Sequence, residues 1–455
     1  MKVAVLDVGK TNVKAVIVDA EARCEIATRT IPNRVLTDGP YPHFDMDGIF
    51  AFFLQSLKDL NAEFGFDAIS ITAHGASGAL LGDDDLALPV LDYEFRYPAE
   101  IDAAYDEIRP DFTETFSPRL PGGLNLGAQL HYQRSLFPEA FRRVRAVVTY
   151  PQYWGWRLTG KAATEVTSLG CHTDLWRPKE GRFSSLVERL DIGDKLAPVM
   201  RPSDLLGHVT EKISAIIGLA QPVPVHCGIH DSNASLLPHL GQHEAPFAVV
   251  STGTWVVIFA VGGDLDHLDP TRDTLANVDA LGRAVPSARF MGGREFELLT
   301  KGRGRATPEA IRRVLDRRIL MTPSVVPGCG PFPDATHRLV NASDDLNEDE
   351  TYVAASLYTA MMTQACLDLT RAAGPIIVEG PFARNALYAE ALSNATGREV
   401  IAVSSATGTS VGAALLALAP STPVAHREGL QTPSSQLQKD FPLYRAEWNA
   451  HVKIS

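Results

Sequence analysis

The chain has 455 residues, 45% of them hydrophobic and 21% charged, with a formal net charge of −12. That length exceeds what a single hydrophobic core usually spans, so two domains are expected. The acidic balance argues against nucleic acid as the main partner, although local charge can still favour an anionic substrate.

From the N-terminus, Val3 to Asp19 predicts two apolar strands joined by the turn Gly9-Lys10-Thr11-Asn12. Gly9 has no Cβ to keep backbone N–H groups away from a phosphate. Asp7, at a strand end, can face a metal ion held by that phosphate. Gly9-Lys10-Thr11 matches the end of a P-loop, but Ala4 stands where that motif has its first glycine, and Val13 to Val18 continues as a strand rather than a helix. The turn is not a P-loop. Met1-Lys2 leads straight into the first strand with no signal-type apolar region, and no apolar run reaches the roughly 18 residues of a membrane span. The five cysteines, Cys24, Cys171, Cys227, Cys329 and Cys366, form no Cys-x-x-Cys pair. Reduced thiols and a cytoplasmic protein away from membranes are expected.

Helical spacing of Ile49, Phe50, Phe53, Leu54, Leu57, Leu60 and Phe64 predicts a helix over Asp47–Phe64. A buried strand, Ala68–Thr72, then runs into Ala73-His74-Gly75. The span from Pro89 to about Leu206 is irregular and reads as loops and helices around a substrate cleft. Pro222 to Val225 leads into His226-Cys227-Gly228-Ile229-His230-Asp231, a strand ending in a glycine-containing loop. Asp231 reads equally as an acid that reaches a substrate hydroxyl and as the cap of a helix over Ser232–Leu237. Zinc is disfavoured there, because Gly228 and the strand context spoil the helical ligand spacing.

A second cycle begins at Phe247, with a strand over Ala248–Val250, the turn Ser251-Thr252-Gly253-Thr254, and a strand over Trp255–Val261. Met291-Gly292-Gly293-Arg294-Glu295 reads as a loop of no assignable role. A helix over Glu348–Ala373, a strand over Ile376–Glu379, a helix over Arg384–Ala395, a strand over Glu399–Val403 and a small-residue helix over Thr409–Leu418 complete the pattern. Alternating strands and helices favour an α/β fold. Two copies of one plan, each with a phosphate-type hairpin, place a ligand between the halves.

Asp7 to Lys14, the segment Pro151 to Gly160 with its Trp156-Arg157-Leu158-Thr159-Gly160 ending, Thr164 to Ser168, Gly228 to Asp231, Ser251 to Thr254 and Gly408 to Ala414 occur in one order. That ordered set resembles the FGGY carbohydrate kinases of the actin, Hsp70 and sugar kinase superfamily, and the Thr-Asn-Val-basic ending of the first motif is similar to L-fuculose kinases. The resemblance implies an α/β fold of two domains of ribonuclease H-like (actin-like ATPase) architecture with a central cleft. A sugar-binding domain would cover 1–240 and a nucleotide-binding domain 241–455. It implies ATP-dependent phosphorylation of a terminal hydroxyl of a small sugar, a ketose such as L-fuculose, with ATP and Mg2+ as cofactors. Asp231 becomes the catalytic base and Asp7 the metal-binding residue. Gly9, Lys10, Thr11, Asn12 and Lys14, with Ser251, Thr252, Gly253 and Thr254, become phosphate contacts. Gly380 and Asn385 lie where adenosine contacts occur, and His74, Gly75, Glu94 and Arg96 where the sugar would bind. Sugar and ATP are then the partners, with no nucleic acid or membrane, and a homodimer is one option. Another sugar, polyol or sugar-acid kinase and a non-kinase ATPase of the actin or Hsp70 type are the alternatives.

Overall fold

The computed structural model describes residues 1–83, 85–342, 346–403, 408–418 and 435–452. Strands Lys2–Val8 and Asn12–Asp19 form the first hairpin, and Lys2–Val8 pairs on its other side, in parallel, with Ala68–Ala73. The sheet extends through Cys24–Pro32 beyond the hairpin and through Pro224–His226 and Leu205–His208 beyond Ala68–Ala73. Buried Ala4, Leu6 and Val8 on one face and Val3 and Val5 on the other show a strand covered on both sides, which explains its near-continuous apolar run.

Helix Met46–Phe64 starts at Asp45, whose carboxylate accepts the Gly48 N–H, and buries Ile49, Phe50, Phe53, Leu57 and Leu60. These residues pack with Leu6, Ile71, Tyr153 and the fully buried Trp154. The Trp-Arg-Leu-Thr-Gly segment is therefore the end of a core helix, Tyr150–Thr159, which stops at Gly160 with φ 72°. The span expected to be irregular contains ordered helices, among them Ala99–Ile108 and Leu126–Leu136.

The second hairpin, Phe247–Thr252 and Val256–Val261, repeats the arrangement: its first strand pairs in parallel with Ile376–Glu379. Helix Glu348–Leu369 ends before the expected Ala373, because Arg371 takes φ 47° and the Ala372 N–H turns back to the Leu367 carbonyl at 2.9 Å. The expected helix from Arg384 begins two residues later, at Ala386, after a short 3-10 turn over Pro381–Arg384. The terminal strand is reduced to Val400–Ala402. Helices Pro308–Arg317 and Ser435–Val452 were not anticipated from the sequence.

The chain divides into two compact units, with the change between Gln242 and His243. The division is not contiguous in sequence, since Ala276–Ala284 and helix Thr409–Ala414 group with the first unit. The second of these is held by close contact. Ser70 Oγ donates to the Ala413 carbonyl at 2.7 Å, and a Cβ on Gly412 would lie 1.8 Å from the Ala234 carbonyl oxygen. No flexible side chain can yield there. Gly412→Ala is expected to cost about 3 kcal/mol of stability, read as a lower urea midpoint with an unchanged slope.

Candidate active site

Three neighbouring strands of the first unit end at one level of the sheet. Asp7 pairs with Thr72 and Val8 with Ala73, while Ile229 pairs with Thr72 and His230 with Ala73. The next residues along each chain are therefore Gly9, His74 and Asp231. Carboxyl ends of parallel strands are where open α/β sheets bind ligands, and two acids, a histidine and a glycine turn emerge there together.

Asp231 is the first residue of helix Asp231–Leu240, so its carboxylate sits beside helix amides. The side chain is 31% exposed, with Oδ1 3.1 Å from His230 Nε2 and accepting the Ser232 N–H at 2.6 Å. Burial of its surroundings raises its pKa above the usual carboxylate value. His74 is buried, and desolvation pulls its pKa down to about 4. Its Nδ1 is 2.8 Å from the Gly75 carbonyl. A carbonyl only accepts, so Nδ1 carries the proton and Nε2 presents a lone pair. That Nε2 is buried and has no hydrogen bond among the described residues. Phe44, Tyr93 and Tyr150 surround the ring at centroid distances of 5.2, 5.2 and 4.8 Å.

Lys10 turns to this wall. Its ammonium binds Asp92 and lies 3.3 Å from Glu94 Oε2, and it sits 4.7 Å from the Tyr93 ring centroid. Its charge, expected to steady a phosphate, is thus met by two carboxylates, one of them the expected sugar ligand Glu94. Arg96 is exposed.

Asp7 is 6% exposed. Desolvation pushes its carboxyl up to about 6, opposed by Lys14 and reinforced by the charge of Asp231. Lys14 Nζ is 3.9 Å from Asp7 Oδ2, which follows from their direct pairing across the hairpin. Lys14 is thus the counter-ion of Asp7, and Ser410 also hydrogen-bonds that carboxyl. Gly9 does not serve as a donor: its N–H closes the turn on the Asn12 carbonyl at 2.9 Å. Its contribution is a missing Cβ, which would lie 3.1 Å from the Asn12 oxygen. Thr11 and Asn12 lie exposed in this turn.

In the second unit the strand runs through Ser251 and Thr252, and the turn proper begins at Gly253, whose N–H binds the Trp255 carbonyl at 2.9 Å. The Thr252 hydroxyl is consumed internally, donating to the Glu379 carbonyl and accepting the Phe382 N–H at 3.1 Å. Gly380 makes this approach possible, since a Cβ there would lie 2.0 Å from the Thr252 carbonyl oxygen and 2.8 Å from its hydroxyl. Asn385 is buried rather than surface-exposed, its carbonyl oxygen accepting the Tyr388 N–H and its amide bonding Ser356 at 2.9 Å. The Met291–Glu295 segment is not a loop: Gly292 opens helix Gly292–Thr300. A Cβ on Gly293 would lie 1.9 Å from the Gly253 carbonyl, so the helix start abuts the turn; the Arg294 N–H binds the Thr254 carbonyl at 3.2 Å, and the positive end of the helix dipole favours an anion. Beside them lies a cavity of about 340 Å³ lined by Gly253, Thr254, Phe296, Tyr352, Phe382 and Asn385. Aromatic walls next to an anion-favouring helix start suit a planar base joined to phosphates.

Sequence reasoning missed His230, Asn233, Ser410, Tyr93 and Lys10's partner Asp92 as members of these sites. Only the His-Asp dipeptide and the small-residue helix offered a signal.

Residues 2–238 match the description "FGGY family of carbohydrate kinases, N-terminal domain" and residues 244–426 match "Carbohydrate kinase FGGY, C-terminal domain". A crystal structure of a carbohydrate kinase from Novosphingobium aromaticivorans is similar at 33% identity and TM-score 0.89, covering 100% of this chain and 98% of that one. Among curated relatives, L-fuculokinase of Escherichia coli strain K12 is 23% identical over 273 residues, 58% of this chain and 57% of its own length. A probable L-xylulose kinase of Haemophilus influenzae is 24% identical over 281 residues, 57% of this chain and 56% of its own. The chain thus spans little more than half the length of the curated relatives it matches. Its fold is the mixed α/β, two-domain fold of the actin-like ATPases that the paired hairpins implied.

Proposed function

The chain belongs to the FGGY family of carbohydrate kinases, and from that premise we propose that it transfers the γ-phosphoryl group of ATP to a terminal hydroxyl of a small ketose such as L-fuculose. The observation that carries this reading is the shared register that delivers Asp7, His74 and Asp231 to one sheet edge.

Phosphoryl transfer asks the protein mainly for positioning and charge stabilisation. Asp231 accepts the proton of the attacking hydroxyl, its raised affinity for a proton suiting a base. His74 Nε2, a lone pair without an internal partner, accepts a hydrogen bond from a second sugar hydroxyl. Tyr93, half-buried in this wall, offers an apolar face to the sugar's C–H groups. Lys10, already neutralised by Asp92 and Glu94, leaves little attraction for a sugar acid, so a neutral sugar is preferred.

Asp7 fits Mg2+, which commonly takes one or two protein carboxylates plus substrate phosphates: it is buried, and its ionised form is disfavoured until a cation arrives. Bound Mg2+ would neutralise charge developing on the phosphates. The adenosine part of ATP suits the second unit's cavity by its aromatic lining and adjacent helix start. The exposed Thr11 and Asn12 would supply phosphate contacts from the first unit's hairpin.

The similar likeness to named L-fuculose and L-xylulose kinases makes L-xylulose the second candidate. A panel of ketoses, polyols and sugar acids, assayed by coupled ADP release with ATP and Mg2+, separates them. The expected result is a neutral ketose with the highest kcat/KM, at least about tenfold above any sugar acid. A sugar acid as best substrate would contradict the role given to Lys10, Asp92 and Glu94.

A further inference from the structure

The carboxylate of Asp231 is held asymmetrically. Oδ1 receives the Ser232 N–H at 2.6 Å, the Ser232 hydroxyl at 3.2 Å and His230 Nε2 at 3.1 Å. An ionised carboxylate only accepts, so the imidazole proton facing it must sit on Nε2. His230 is buried, and desolvation lowers its pKa to about 4. The ring is therefore neutral near pH 7, and Nδ1 is a lone pair that needs a donor. Asn233, fully buried, places its side-chain amide nitrogen 3.2 Å from that Nδ1. This orientation leaves the Asn233 Oδ1 without a hydrogen bond among the described residues. The amide thus serves the ring at its own expense.

The surroundings fix the ring as well as its proton. The His230 N–H donates to Thr167 Oγ1 at 3.0 Å, and that hydroxyl donates to the fully buried Glu165 at 2.7 Å. Glu165 also accepts the Thr167 N–H at 2.6 Å and the Ser168 N–H and hydroxyl at 3.0 Å each. The Thr164–Ser168 motif is thus tied to the backbone that carries Asp231. Gly75 explains itself here too: a Cβ would lie 2.9 Å from His230 Nε2, so glycine after His74 leaves room for the second imidazole.

We propose that His230, set in its Nε2–H tautomer by Asn233, is the positioning residue of the base, holding Oδ1 of Asp231 so that Oδ2 is the oxygen that takes the substrate proton. The inference rests on Asp231 being that base. In the transfer, the hydroxyl O–H bond breaks as its oxygen bonds phosphorus. The proton goes to Oδ2, the electron pair of the broken P–O bond leaves with ADP, and His230 keeps its proton throughout. Donation to Oδ1 also favours the ionised carboxylate, against the burial that opposes it.

The test compares wild type, His230→Phe, His230→Gln and Asp231→Asn with ATP, Mg2+ and the best sugar of the panel. His230→Phe keeps ring volume and loses the donor. Its kcat is expected to fall about 30- to 100-fold with sugar KM within about threefold. The acid limb of kcat/KM is expected to move up by about one pH unit, because the carboxylate loses a stabilising donor. The ionisable groups His74, Tyr93 and Asp7, each coupled electrostatically to Asp231, are unchanged in these variants. His230→Gln, whose amide can still donate, is expected to recover most of kcat. Wild-type kcat and an unmoved acid limb in His230→Phe, with Asp231→Asn inactive, would overturn the inference and leave the base in place. A fully active Asp231→Asn would remove the base and this inference with it. A second readout needs neither turnover nor a variant that folds: nitrogen NMR of histidine-labelled wild type at pH 7. Protonated Nε2 and bare Nδ1 at His230 are expected, and the reverse tautomer would overturn the inference.

Discussion

Asp231→Asn is expected to lower kcat by about three orders of magnitude while leaving the circular dichroism spectrum and ATP affinity near wild type. The amide preserves shape and still accepts from Ser232 through its oxygen, so the helix start it opens should survive. What disappears is a group able to take a proton. In wild type the base must be ionised, and burial raises its pKa, so kcat/KM should fall as pH drops through that raised value and stay level above it. Asp231→Asn should lose this acid limb along with the rate. Isothermal titration with a non-hydrolysable ATP analogue and steady-state kinetics separate the two effects. A variant with unchanged kcat would remove Asp231 from the chemistry.

The second large effect concerns Asp7, where function and stability are expected to move in opposite directions. Asp7→Asn should reduce turnover about 100-fold or more and raise the Mg2+ concentration needed for half-maximal rate. The same change should stabilise the ligand-free protein. Burial pushes the carboxyl from 3.8 up to about 6, so the folded state favours the neutral acid. Stability linked to Asp7 is therefore complete below pH 3.8 and is lost as pH rises through about 6. At pH 7.5 the ionised group costs roughly 3 kcal/mol, the opposing pull of Lys14 being already contained in that raised value. Asp7→Asn should accordingly raise Tm by several degrees at pH 7.5 and leave it unchanged near pH 4. A lower Tm at pH 7.5 would mean that the ion pair with Lys14 outweighs burial.

How much of this was legible beforehand depends on the range of the interactions involved. The two hairpins were readable because apolar runs flank glycine-centred turns, and helix Met46–Phe64 because its buried residues keep helical spacing. Helix Gly292–Thr300 was not, since two glycines at its start mimic a loop and only tertiary contacts explain them, Gly292 with Phe290 and Val256 and Gly293 with the Gly253 turn. The grouping of Thr409–Ala414 with the first unit was hidden for the same reason, as the small residues reveal close packing but not the partner, Ala234. Within the sites, Asp7 and Asp231 stood out as acids at strand ends. Lys10 did not disclose its role, because Asp92 and Glu94 reach it from 82 or more positions away. The Asn233–His230 link spans only three residues, yet a tautomer is set by ring orientation, which no spacing encodes. The hydroxyl of Thr252 looked like a phosphate donor and proved to be a strut holding Glu379 and Phe382.

A sugar hydroxyl, rather than water, is expected to receive the phosphoryl group. The most direct test is the stoichiometry of ADP against sugar phosphate, followed by phosphorus NMR while the protein turns over ATP and Mg2+ with the best ketose of the panel. One phosphate ester on the sugar's terminal carbon is expected for each ADP formed, with negligible ADP without sugar. ADP released at the same rate with and without sugar, accompanied by inorganic phosphate, would contradict it.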